Sequence, residues 1–225
     1  DLAAARVLPL LPPLMLVHAS EAADAHGGAG VSAGLGDRLG EHHGALIRAL
    51  AERADEAAPA GFVALVQSLL RPPLPASGVL ECALEAAYTL ATCAARVHAA
   101  MTAGASAGAP EYSPSAPPPP IVRHAAGLVH SVPDLLQLTL HVSAPAADRA
   151  TAALSATAQL LGALAPQACC RAFLAGGTAA VRAALAARGR ARAAKCLLQI
   201  ARAVEARAGV SGVLLPAQTW TTAAE

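Results

Sequence analysis

Two glycines precede a helix-like run in "AGGTAAVRAAL", residues 175–185. A glycine pair at a helix N-terminus can cradle a phosphate with backbone N–H groups, or it can form a turn between two packed helices. A dinucleotide-binding loop follows a strand, whereas Gly176 and Gly177 follow "CCRAFL", which has the composition of a helix end. The glycine-rich stretch "GLGDRLG" also has no strand before it. We therefore expect a sharp turn between two helices at Gly176, and no phosphate loop.

The histidines and cysteines have spacings that do not favour metal binding. His42 and His43 are adjacent, so on a helix their side chains would point about 100° apart. Cys169 and Cys170 are adjacent too, whereas zinc ligands are usually separated by two to four residues. Five scattered cysteines predict buried, inert thiols in a reducing compartment and no disulfide framework.

Nothing in the sequence has the pattern of a catalytic centre. It contains no serine nucleophile elbow and no convincing pair of catalytic carboxylates, and Lys195 is the one lysine and lies in no phosphate-loop context. We therefore predict a protein that is not an enzyme, with no catalytic residues, no metal and no cofactor.

A basic stripe is the sharpest candidate for a functional surface. It consists of residues spaced by four, three, four and three: Arg188, Arg192, Lys195, Gln199 and Arg202. The opposite side of the same predicted helix is apolar: Ala193, Leu197, Ile200, Ala201 and Val204. Arginine binds carboxylates bidentately, so the basic stripe is a candidate site for an acidic partner segment. A solvated outer face is the alternative interpretation.

Charge along the chain is uneven although the formal net charge is only +1. Residues 1–60 carry eight acids against four arginines, and residues 171–207 carry eight bases against Glu205 alone. Aromatic residues make up 2% of the chain, which leaves few side chains for stacking on nucleic acid bases. An acidic protein partner is therefore favoured, and a nucleic-acid-binding helical repeat protein is the alternative.

The elements that carry these residues are predicted to be helices. Hydrophobic residues make up 55% of the chain and are mostly Ala, Leu and Val, a composition that favours an all-α fold. Helices are expected near 62–70, 79–101, 121–129, 133–141, 147–164, 167–174, 178–187 and 190–207. A further helix is expected from Leu39 to Ala57, closed by Pro59 and Gly61. The uncharged run 150–170 contains Gln159 and Pro166, so no membrane span is predicted.

Composition divides the chain into segments. Residues 1–34 form an apolar Pro/Gly-rich segment, residues 35–207 form the main domain, and residues 208–225 form a tail or cap. Inside the main domain, residues 105–120 form a low-complexity, proline-rich loop.

A repeated pattern runs through the main domain. Three segments, "AGFVALVQSLL", "VHSVPDLLQLTL" and "AGGTAAVRAAL", are each followed by a breaker and a longer Ala/Leu helix. The last two lie 46 residues apart by their aligned positions Val132 and Thr178, and the first two, 70 apart, fit one repeat enlarged by the proline-rich loop. With this pattern the chain resembles an armadillo-type α-solenoid, with HEAT repeats as the near competitor. The resemblance implies a right-handed α-solenoid of about three repeats.

The resemblance also implies a function. Third helices of armadillo repeats line a concave groove, which would place the basic stripe against an extended partner segment. The chain has no asparagine, and its one tryptophan, Trp220, lies outside the repeats, so binding of nuclear-localisation peptides is disfavoured. We therefore predict a non-enzymatic protein-binding scaffold within a larger assembly. The resemblance implies a cytoplasmic location, with the cytoskeleton or cilium as the kind of assembly that uses such folds.

Overall fold

The computed structural model describes residues 57–75, 77–106, 118–186 and 191–214. Across these four ranges the regular structure is helical and no strand is present. The predicted all-α class is therefore confirmed for the described part of the chain. In chain order the helices are α1 (Ala57–Leu70), α2 (Ser77–Ser106), α3 (Pro120–Ala125), a 3-10 helix (Ala126–Ser131), α4 (Val132–Leu138), α5 (Ala144–Leu164), α6 (Pro166–Ala186) and α7 (Ala191–Ala208).

Prolines mark the beginnings of several helices. Pro120, Pro133, Pro145 and Pro166 each occupy one of the first two positions of a helix. A first-turn residue needs no N–H for the helix ladder, and the fixed φ of proline suits that position. These prolines therefore set where α3, α4, α5 and α6 begin.

The chain divides into two compact units, and unit 1 extends to Gly127. Its described part consists of α1, α2 and α3, each of which packs against the other two. The largest fully buried side chains of this unit are Leu70, Leu80, Leu84, Leu90 and Ile121. The side-chain amide of Gln67 donates a hydrogen bond of 2.6 Å to the carbonyl oxygen of Gly127, which joins α1 to the end of the unit.

Unit 2 begins at Leu128 and consists of two consecutive helix pairs, α4 with α5 and α6 with α7. The first helices of the two pairs, α4 and α6, pack against each other, and so do the second helices, α5 and α7. Its core is built from buried apolar residues of the 3-10 helix and of all four α-helices: Leu128, Leu135, Leu136, Ala150, Leu154, Leu160, Leu161, Phe173, Leu197 and Val204.

The expected turn at Gly176 is wrong. Helix α6 continues through Gly176 and Gly177, and joins the two helices that were predicted near 167–174 and 178–187. A Cβ atom at Gly176 would lie 3.2 Å from the Cα and Cβ atoms of Pro133. Glycine therefore allows α6 to pass close to the start of α4, and the chain does not turn here.

The expected helix break at Pro59 and Gly61 is also wrong, because both residues lie inside α1. The breaker after α1 is confirmed: residues 71–75 are not helical. The predicted helix near 121–129 is replaced by α3 and the 3-10 helix. The rest of the predicted helix from Leu39, residues 1–34, most of the loop 105–120 and the tail beyond 214 lie outside the described residues.

The uncharged run 150–170 belongs to two helices, since α5 ends at Leu164 and α6 begins at Pro166. Across the residues that were described, none of the helices has both the length and the apolarity that a membrane crossing requires.

Candidate functional site

Helix α7 has the amphipathic character that the sequence predicts. Leu197, Ala201 and Val204 on its apolar side are buried, whereas Lys195, Gln199 and Arg202 of the basic stripe are exposed. The structure therefore places these three members of the basic stripe together on one surface of α7. The backbone of Arg192 also belongs to α7, but its side chain, like the whole of Arg188, lies outside the described residues.

A groove of about 840 Å³ runs between α5 and α7 in unit 2. One wall comes from α5: Ala144, Ala147, Asp148, Thr151, Ala152, Ser155, Ala158 and Gln159. The other wall comes from α7: Cys196, Gln199, Ile200, Ala203, Val204 and Arg207. The segment after α4 contributes Thr139, His141 and Val142. We call this feature the α5–α7 groove.

The α5–α7 groove is open to solvent because its α5 wall carries small residues. Alanine, serine and threonine recur there at steps of three and four, which places them on one side of the helix. Several of the lining residues are exposed, including Asp148, Gln159 and Gln199. Val142 is 94% exposed, so an apolar side chain stands uncovered among the residues that line the groove.

Three hydrogen bonds hold the end of α7, two of them to α5 and one to α6. The Nη1 atom of Arg207 donates to the carbonyl oxygens of Ala158 and Gln159, at 3.4 and 3.2 Å. The side-chain amide of Gln167, at the start of α6, donates to the carbonyl oxygen of Ala208 at 2.7 Å. The end of helix α7 therefore lies beside the end of α5 and the start of α6.

Gly162 makes the position of Arg207 possible. A Cβ atom at Gly162 would lie 2.7 Å from Nη1 of Arg207 and even closer to its Cδ, so only glycine leaves room for the side chain to cross α5 there. Nε and Nη2 of Arg207 carry further donors that point to no carbonyl among the hydrogen bonds above. This arrangement holds a guanidinium beside the α5–α7 groove.

A carboxylate closes the end of α7. Glu205 is buried, and its Oε1 accepts a hydrogen bond of 2.6 Å from the backbone N–H of Leu214. The backbone carbonyl of Glu205 accepts a second one from the N–H of Val210. These bonds fold the segment after α7 back over the helix end.

The two adjacent cysteines of α6 lie under this helix end. Burial raises the pKa of Cys169 to about 11; the neighbouring Cys170 adds to the increase and Arg207 opposes it. Burial also raises the pKa of Cys170, and Glu205 adds to that effect. Both thiols stay protonated at neutral pH, as expected for inert cysteines. The prediction that all five thiols are buried is wrong in part, because Cys82, Cys93 and Cys196 are half-buried.

Among the described residues, no group of three or more His, Cys, Asp or Glu side chains is placed to hold a metal ion. His42 and His43 lie outside them.

Of the described members of the basic stripe, Gln199 lines the α5–α7 groove, whereas Lys195 and Arg202 do not. Gln199 belongs both to the basic stripe and to the groove lining, so it connects the two features. Arg207 was not included in the basic stripe, and Asp148 was not singled out. The small residues of "ATAALSATAQ" were a visible signal, but the sequence does not show that α7 packs beside them.

Comparison with known proteins found no match for this chain: no family model, no curated protein and no solved structure matches it.

Proposed function

We propose that this chain is a protein-binding scaffold in which the α5–α7 groove docks an extended, acidic segment of a partner protein. The observation that carries the proposal is the groove itself, which is open, has a volume of about 840 Å³ and is lined by one cation, Arg207. Lys195 and Arg202 stand on α7 next to Gln199, and Arg207 is held at the groove by two carbonyl groups. A carboxylate-bearing segment would complement this charge.

The packing of unit 2 supports the α-solenoid part of the proposal. In a stack of helical hairpins, first helices contact first helices and second helices contact second helices. Unit 2 has both kinds of contact, α4 with α6 and α5 with α7, in addition to the contacts inside each pair. We propose that these two pairs are successive repeats, and that the α5–α7 groove lies between their second helices.

Overall charge favours the same kind of partner. Counted from the sequence, residues 128–225 carry nine Lys or Arg against four Asp or Glu. A field of this sign attracts acidic segments and speeds their association, in a manner that depends on ionic strength.

The test compares two variants of the full chain in binding to acidic peptides. The double variant Lys195→Glu, Arg202→Glu reverses two exposed cations that lie one helical turn from Gln199, a lining residue of the α5–α7 groove. The control Arg171→Glu reverses an exposed cation on α6, a helix that contributes no residue to the groove lining. Fluorescence anisotropy with labelled peptides rich in Asp and Glu is expected to show binding to wild type. The double variant should bind at least about tenfold more weakly, because two attractions become repulsions.

The control variant should bind about as well as wild type, and circular dichroism should show the same helix content for all three proteins. Equal weakening by both variants would mean that only net charge matters, and the α5–α7 groove would lose its assigned role. Tighter binding of single-stranded nucleic acid than of any acidic peptide would favour the alternative function instead.

A further inference from the structure

The α5–α7 groove carries a negative charge near one end and a positive charge near the other. Two formally charged residues line it, Asp148 and Arg207. Asp148 lies near the start of α5, and Arg207 lies against Ala158 and Gln159 near its end. An evenly acidic segment would therefore be attracted by Arg207 at one end of the groove and repelled by Asp148 at the other.

Asp148 is available to a ligand. Its side chain is exposed, and it forms no ion pair within the part of the chain that the structure describes. A carboxylate in that position attracts a Lys or Arg of a bound segment, while the remaining donors of Arg207 attract an Asp or Glu.

The distance between the two charges sets how many residues a bound segment needs in order to contact both. Asp148 and Gln159 are eleven residues apart on α5, which corresponds to about 16 Å along the helix axis. An extended segment advances by about 3.3 Å per residue and would span this distance with about five residues. A helical segment would need about eleven.

Polar side chains in the walls favour the extended form. Ser155, Gln159 and Gln199 line the α5–α7 groove, and their side chains form no hydrogen bond within the described residues. A bound helix satisfies its own backbone groups, whereas an extended segment brings N–H and C=O groups that need partners. Hydroxyl and amide side chains in both walls can supply those partners.

We propose that the docked segment is extended and carries one basic and one acidic residue about five positions apart, with the basic residue at Asp148 and the acidic residue at Arg207. This inference rests on the proposed function, since it specifies the segment that the α5–α7 groove binds. It adds the requirement for a basic residue, which an acidic ligand by itself does not include.

The test uses the full chain to select binders from a displayed library of random twelve-residue peptides. We expect the recovered sequences to be enriched in a Lys or Arg that lies about five positions from an Asp or Glu. Selection with Asp148→Lys should remove the preference for the basic residue and keep that for the acidic one. Selection with Arg207→Gln should remove the preference for the acidic residue and keep that for the basic one. Selection with Arg171→Glu should leave both preferences unchanged.

Synthetic peptides then measure the size of the effect. A selected peptide with blocked termini should bind wild type about three- to tenfold more tightly than it binds Asp148→Lys, and changing its basic residue to Glu should remove most of that difference. Circular dichroism of each variant shows whether its fold is retained.

Each remaining outcome of the selection separates the two proposals. Recovery of acidic peptides with no spaced basic residue would overturn this inference and leave the proposed function standing. A preferred spacing of about eleven would overturn it as well, because the bound segment would then be helical. Recovery of no acidic peptides at all would overturn the proposed function, and this inference with it.

Discussion

Arg207 and Gly162 lie in close contact, with the arginine side chain packed over the glycine. The arginine reaches across α5 to two carbonyl groups, and the glycine leaves the space through which it passes. In the sequence the two residues are 45 positions apart, and neither stands out. The basic stripe was visible because its members share one helix, whereas this pair joins two helices.

The buried thiol of Cys169 gives a prediction about alkaline pH. Its pKa is about 11 in the folded protein and 9.0 when unperturbed, so the unfolded chain releases this proton first. Below pH 9 the protonated thiol makes its full contribution to the free energy of unfolding. As pH rises from about 9 to 11 this contribution is lost, and the free energy of unfolding falls by about 2 to 3 kcal/mol in total. Thermal melts of wild type across this range should show a steeper loss than melts of Cys169→Ala.

The two proteins are compared by how steeply the melting temperature falls with pH, because Cys169→Ala also leaves a cavity that lowers stability at every pH. A parallel pH dependence in the two proteins would contradict the assignment of the raised pKa to Cys169.

At the scale of elements, Gly176 departs from its sequence-based interpretation, whereas four prolines lie where the predicted helices begin. Prolines at the first turns of α3 to α6 begin helices, as their missing N–H allows. Gly176, in contrast, sits inside a helix that passes close to Pro133. A pattern of two glycines predicts a turn only when no neighbouring helix requires them for close contact.

Two glycine substitutions test this explanation. Gly176→Leu should lower the free energy of unfolding by about 1 to 3 kcal/mol, because the added side chain meets the backbone of Pro133 and α6 must shift. Gly61→Leu is the matched control in α1, where a Cβ atom has nothing within 4 Å. It should leave stability unchanged or raise it by up to about 1 kcal/mol through helix propensity.

Chemical denaturation of both variants measures these differences. A stable Gly176→Leu protein with an unchanged unfolding midpoint would show that the approach of α6 to α4 does not depend on the glycine.

At the scale of the whole molecule, the division into two compact units has a direct consequence. Unit 2 contains its own buried leucines, two helix pairs and the α5–α7 groove. The connections at the end of α7, through Arg207, Gln167 and Glu205, all lie within it. A unit with its own core can fold by itself.

We therefore expect the fragment 128–225 to fold independently. Its far-ultraviolet circular dichroism should be that of a helical protein, and thermal unfolding should be cooperative. It should also retain the acidic-peptide binding proposed for the full chain. A fragment with a random-coil spectrum would show that unit 2 depends on the preceding residues.

The sequence by itself determined the class of fold and the character of single helices. Alanine-rich composition predicted helices, and the spacing of apolar residues predicted the buried side of α7, because both signals are local. The interpretation of the basic stripe as a binding surface stays a prediction, as does the armadillo-type arrangement.

Only the tertiary structure decided which helices lie side by side. The small residues of α5 form a groove wall because α7 packs beside them. Arg207 lines the same groove, with its side chain packed over Gly162. Such contacts depend on the packing of residues that lie dozens of positions apart, and the period of a single helix carries no information about its neighbour.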